Sequence, residues 1–96
     1  MICSFGDAAT ADLLEIPLTA KVRKFHPDLI LAARESLDML HAARRIEDLM
    51  IPPGDRLEAL RGDLVGYHSI RVTRQWRLVF RWTPRGPAEV TLMDYH

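Results

Sequence analysis

From Trp76 to Trp82 every second residue is large and apolar: Trp76, Leu78, Phe80 and Trp82 alternate with Arg77, Val79 and Arg81. Side chains on a β-strand point to opposite faces in turn, so this period of two predicts a strand with one buried face. Tyr67 to Val72 alternates in the same way, with His68, Ile70 and Val72 on one side and Tyr67, Ser69 and Arg71 on the other. Pro84-Arg85-Gly86-Pro87 reads as the turn after the tryptophan-rich strand, and Val90 to Met93 as the last strand. Upstream, Leu57 to Leu60 predicts a short strand with Leu57 opposite Glu58, and Gly62-Asp63 and Gly66 bound a loop.

The first half of the chain has a different period. Leu29, Ala33, Leu37 and Leu40 recur at helical spacing, with Ile30 and Ala32 widening the stripe. Pro27 suits the first helical position, and Asp28 complements the positive end of the helix dipole. Arg34 and Asp38 form an i,i+4 pair worth about 0.2–0.5 kcal/mol, and His41 complements the helix's negative end. A brief helix is expected over Ala8 to Leu14 with Asp7 as its cap, and one more helical turn over Ile46 to Leu49. Ile2 to Phe5 reads as a first strand in which Cys3 packs inward. Ile51-Pro52-Pro53-Gly54-Asp55 breaks any regular element, because proline removes a backbone donor. The order predicts an α+β fold, with helices on one face of a mostly antiparallel sheet of about four to five strands. The Trp76–Trp82 row would then be buried, leaving Arg71, Arg77 and Arg81 on the face turned away from the helices.

Ninety-six residues suit a single domain over 1–96. No apolar run is long enough to span a bilayer, no signal-like start is present, and Cys3 is the sole cysteine. A cytoplasmic setting without disulfides follows as the expectation. Formal net charge is zero, which disfavours indiscriminate coating of nucleic acid. The basic residues are unevenly chosen, however. All seven in residues 51–96 are arginine, whose rigid fork of donors matches phosphate oxygens.

Four stretches together carry a family resemblance. They are Ile2 to Phe5; Arg56-Leu57-Glu58-Ala59-Leu60-Arg61-Gly62-Asp63; Tyr67-His68-Ser69-Ile70-Arg71-Val72 continuing to Gln75-Trp76-Arg77-Leu78-Val79-Phe80-Arg81-Trp82; and Asp94-Tyr95-His96. The chain resembles the HigB-type toxins of the RelE/ParE superfamily, also called plasmid-maintenance killer proteins. The likeness is tightest from Pro52 onward and weakest over residues 6–20, where the alanine-rich Ala8-Ala9-Thr10-Ala11 replaces a more lysine-rich helix. It implies a RelE-like fold and the toxin of a type II toxin-antitoxin system. It further implies a ribosome-dependent endoribonuclease that enters the aminoacyl site of the 70S ribosome and cuts the mRNA there. A helix-turn-helix antitoxin, HigA-like, would neutralise it and would be its only link to operator DNA. Carried over by position, the family's functional residues fall on Glu58, Arg61, Arg77, Asp94, Tyr95 and His96. Some relatives carry histidine at the Glu58 position and lysine at Arg61.

The residues support that chemistry on their own terms. RNA cleavage through the 2′-hydroxyl needs a base, an acid for the leaving 5′-oxygen, and donors for the charge that develops on phosphorus. Arg77, assisted by Arg61, is the candidate for charge stabilisation. Glu58 and His96 are the candidates for acid and base, with the division between them open. Tyr95 could stack on or hydrogen-bond the RNA, and Asp94 could orient His96 or Arg77. Arg71, Arg74, Arg81 and Arg85 are candidate contacts to the backbone of mRNA or rRNA. No metal or cofactor is expected, since His26, His41, His68 and His96 are scattered. A competing expectation is a non-catalytic member of the superfamily acting on gyrase or only on its antitoxin.

Overall fold

A computed structural model of the chain describes residues 1–50 and 57–94. Among the described residues three helices precede four strands. They are α1 (Ala8–Asp12), α2 (Ala20–Arg23) and α3 (Pro27–Ala42), then β1 (Glu58–Ala59), β2 (Tyr67–Arg71), β3 (Trp76–Thr83) and β4 (Gly86–Asp94). The strands form one antiparallel sheet in sequential order. Ile46–Met50 forms a single 3-10 turn, where the Asp48 carboxylate accepts from the backbone N–H groups of Arg44 and Arg45. Those two bonds, more than any other influence, hold Asp48 below its usual carboxylate pKa.

Local sequence explains the helix starts. Asp7 accepts from the Thr10 N–H at 2.8 Å and so caps α1. In α3 Pro27 occupies the first turn, while His26 Nδ1 accepts from the Asp28 N–H at 3.1 Å. Leu29, Ile30, Ala33, Leu37 and Leu40 are buried as the periodicity predicts. They meet Ile70, Leu78, Phe80, Val90 and Leu92 from the sheet in one core, joined by Leu13, Val22 and Leu49. The buried Thr10 hydroxyl accepts from the Leu92 N–H at 2.9 Å, fixing α1 against β4.

Several expectations are corrected by packing. The segment at residues 2–5 is not a full strand. It makes one parallel bridge, Phe5 to Val90, with backbone bonds from Cys3 to Pro87, Val90 to Ser4 and Gly6 to Val90. This arm lies beside a bulge in β4, where the register slips between Val79 and Arg81, so a continuous ladder cannot form. The arm also leaves Cys3 exposed, not packed. Gly6 must be glycine here, because a Cβ would collide with the Thr91 hydroxyl. Gly86 sits at φ +127, where a Cβ would strike the Met1 carbonyl, and β4 begins at this residue, four before the expected Val90.

Trp76 and Trp82 are only partly buried, because the helices cover the middle of β3 and the tryptophans flank it. Leu78 and Phe80 take the central burial, while Trp76 meets Phe25 edge-on at 5.7 Å. Arg34 reaches the Leu13 and Glu15 carbonyls at 2.6 and 2.8 Å, so the expected Asp38 pairing gives way to a tie on the loop after α1. His41 Nδ1 accepts from the Ile2 N–H at 3.2 Å, so it anchors the N-terminal arm. The breaker at 51–55 lies outside the described residues.

Candidate active site

The face of the sheet opposite the core is built by alternation. Antiparallel pairing sets Arg71 opposite Arg77, Ser69 opposite Val79 and Tyr67 opposite Arg81 on β2 and β3. Glu58 on β1 pairs with Ser69, and Met93 and Thr91 on β4 pair with Arg77 and Val79. Directly opposed residues share a face, so Glu58, Ser69, Arg71, Arg77 and Arg81 all lie on the helix-free side.

At its centre, among the described residues, Ser69 and Glu58 both hold Arg77. Its Nε donates to the Ser69 Oγ at 2.9 Å, and its Nη2 lies 3.3 Å from Glu58 Oε1. The Arg77 side chain is only 10% exposed, against 57% for Glu58. A guanidinium held this way is preoriented and only lightly hydrated, with part of its charge offset by the Glu58 carboxylate. Beside it stands Arg71, whose Nε is buried without a hydrogen-bond partner among the described residues. Like charges directly opposite across a ladder are unfavourable. A negatively charged ligand would relieve both the repulsion and the orphaned donor.

A second polar cluster lies further along the same face. The Tyr67 hydroxyl donates to Glu89 Oε1 at 3.0 Å, and Arg81 Nε donates to Glu89 Oε2 at 2.8 Å. Arg81, then Tyr67, lower the Glu89 pKa by donating to its carboxylate; in return Glu89 raises those of Arg81 and Tyr67. Glu89 is the non-glycine residue with positive φ among the described residues, at 55°, and it occupies the β4 bulge.

The expected site residues separate into groups. Glu58 and Arg77 come together, with Arg71 adjacent. Arg61 is exposed just past β1, at the start of the 3-10 turn Gly62–Leu64. Asp94 is paired with Trp76, hence on the other side of the sheet from Arg77 by alternation, and accepts from Gln75 Nε2 at 3.1 Å. Arg74 and Arg85 are exposed in the β2–β3 and β3–β4 turns, at opposite ends of the sheet. Tyr95 and His96 lie outside the described residues. Sequence reasoning missed Ser69 as the anchor of Arg77, and the Glu89 cluster entirely. Alternation placed Ser69 on the right face, but only the register reveals its partner. Among the described residues no cluster of three His, Cys, Asp or Glu could hold a metal ion. A recess of about 360 Å³ lies elsewhere, on the helical side, between Leu18, Phe25, Ile30 and Leu31.

This arrangement of short helices backing a four-stranded antiparallel sheet has a solved counterpart. It superposes on a chain of the YoeB-YefM complex from Staphylococcus aureus with TM-score 0.63 at 20% identity, covering 100% of this chain and 95% of that one. At that identity the likeness speaks for the fold alone. The sequence model of the HigB-like toxins, described as RelE-like toxins of type II toxin-antitoxin systems, matches residues 7–96. The chain belongs to that family. It is 50% identical over 60 residues to Toxin HigB-1 of Vibrio cholerae serotype O1, covering 62% of each chain. An uncharacterized protein of Haemophilus influenzae is 36% identical over 59 residues, which span 62% of this chain and 58% of that one. The matched segments thus cover less than two thirds of either relative. No helix among the described residues is long and apolar enough to cross a membrane.

Proposed function

We propose that the chain is the toxin of a toxin-antitoxin pair and a ribosome-dependent endoribonuclease acting on mRNA in the aminoacyl site. The observation that supports this best is Arg77: a nearly buried guanidinium, anchored by Ser69 and Glu58, beside the cationic Arg71 on the helix-free sheet face. Such a pair suits a phosphate whose charge grows as the 2′-oxygen attacks. In this reading Arg77 stabilises the phosphorane, and Arg61 assists from the loop after β1. Glu58 presents an acceptor oxygen and takes the 2′-hydroxyl proton, and His96 protonates the departing 5′-oxygen. Tyr95 holds a neighbouring base and Asp94 steadies the end of β4 through Gln75. Bond balance is complete without a metal: the 2′-oxygen bonds to phosphorus, the 5′-oxygen leaves with a proton, and a 2′,3′-cyclic phosphate remains.

The ribosome supplies what zero net charge does not, namely a means of holding RNA against the sheet; Arg74 and Arg85 extend the contact toward mRNA or rRNA. The partner in the resting cell is a helix-turn-helix antitoxin, consistent with the two-protein complex of the S. aureus fold neighbour. Operator DNA is reached only through that antitoxin, and the site of action is the cytoplasm. The test is cleavage of mRNA on programmed ribosomes by purified protein. Cuts within the aminoacyl-site codon, with naked RNA spared and cleavage lost in His96→Ala, would support the reading. Equal growth arrest by wild type and His96→Ala without mRNA cuts would favour a non-catalytic binding role.

A further inference from the structure

We propose that Tyr67, Glu89 and Arg81 form a base-reading subsite that selects which RNA sequence is cut. The inference rests on the nuclease reading above and deepens it. Three features separate this cluster from an ordinary surface ion pair. It shares the helix-free face with Arg77, four residues away on β3, a separation of about 13 Å that a short stretch of single-stranded RNA can bridge. Its central carboxylate projects from a β-bulge at left-handed φ, the kind of conformation that re-aims a side chain beside functional sites. The bulge is also tied down: the Glu89 N–H donates to Ser4 Oγ at 2.9 Å, and its carbonyl accepts from the Thr91 hydroxyl at 3.1 Å. The N-terminal arm thereby fixes the carboxylate before any ligand arrives.

The chemistry of the cluster indicates what it reads. Each Glu89 oxygen accepts one bond from within the cluster and retains lone-pair capacity for another donor. Arg81 commits its Nε to Glu89 and also interacts with the Tyr67 side chain, and its five N–H groups still exceed those two partners, so an acceptor on the same base or the adjoining phosphate can be met. Single-stranded RNA is read by splaying a base and bonding to its edge, with aromatic and guanidinium planes for stacking. A fixed carboxylate favours bases bearing an exocyclic amino group, the acceptor's natural partner. Uracil, whose one ring N–H lies between two carbonyl oxygens, is rejected by the same negative charge.

The test is single-turnover cleavage of ribosome-bound mRNAs that differ by one nucleotide near the cut, with thermal melting measured in parallel. Wild type should cut amino-bearing bases faster than uracil at one position. Glu89→Gln keeps the shape but adds an amide donor that uracil carbonyls can accept, so discrimination should fall by about tenfold while the best substrate is still cut. Tyr67→Phe removes one bond that orients the carboxylate and should shift preference the same way, by less. A merely structural role would slow all bases alike. Unchanged base preference in both variants at wild-type melting temperature would overturn the subsite while leaving the nuclease reading intact. Failure of the wild type to cut ribosome-bound mRNA would remove both.

Discussion

Arg77 and Arg81 stand on the same face of the same strand, each facing a glutamate, yet the two pairs behave differently. Arg81 has the shorter contact, 2.8 Å against 3.3 Å, but both it and Glu89 are about half exposed. Arg77 has the longer contact and is almost wholly enclosed, with a serine hydroxyl completing its cage. Distance ranks the pairs one way and burial the other. Exposed ion pairs are screened by water and salt, whereas a buried guanidinium depends on every partner it has. Arg77 is therefore the more firmly held of the two, and Arg81 the more accessible.

The sharpest way to break the contrast is to delete each arginine. Arg77→Ala strips the partner from the fully buried Ser69 hydroxyl and opens space beside Val79; urea unfolding should show a loss of about 1–3 kcal/mol. Ser69→Ala removes the other half of that bond and should cost a similar or smaller amount, about 1–2 kcal/mol, since Glu58 still holds the guanidinium. Arg81→Ala, which removes one half of a half-exposed pair, should move the urea midpoint least of the three. If Arg81→Ala proves the more destabilising, contact distance and not burial sets the hierarchy.

The smallest effect is a titration. Arg81 and Tyr67 depress the Glu89 pKa, so the stability they contribute is fully present above the ordinary carboxylate range and fades as pH falls through the lowered folded value. Carboxyl NMR should show Glu89 titrating below an ordinary glutamate. Arg81→Gln should move that midpoint upward, and an unmoved midpoint would detach Glu89 from its neighbour.

Much of this was legible in the sequence because it rests on period and local chemistry. The α3 stripe, the Asp7 cap and the two-faced character of β2 and β3 all follow from residue spacing, and so does the segregation of Arg71, Arg77 and Arg81 from the helices. What the sequence hid depends on register. Glu58 reads as a neighbour of Arg61 along the chain, but the β1–β2 ladder carries it to Arg77. Asp94 reads as a candidate to orient Arg77, but its register with Trp76 sets it on the other face of the sheet from Arg77. Glu89 gives no local sign of its left-handed backbone, since glycine or asparagine would normally mark one. Residues 2–5 read as a strand for the same reason, because the bulge beside them cannot be seen in the composition of Ala88-Glu89-Val90.

In the proposed function an enclosed, pre-aimed guanidinium on the open sheet face drives phosphodiester cleavage. Single-turnover cutting of ribosome-bound mRNA by Arg77→Gln, with folding verified by melting, tests it directly. The account predicts a fall of about 10²–10³ in rate, the usual cost of losing one donor to a developing anion. A folded Arg77→Gln protein that cuts at the wild-type rate would contradict it.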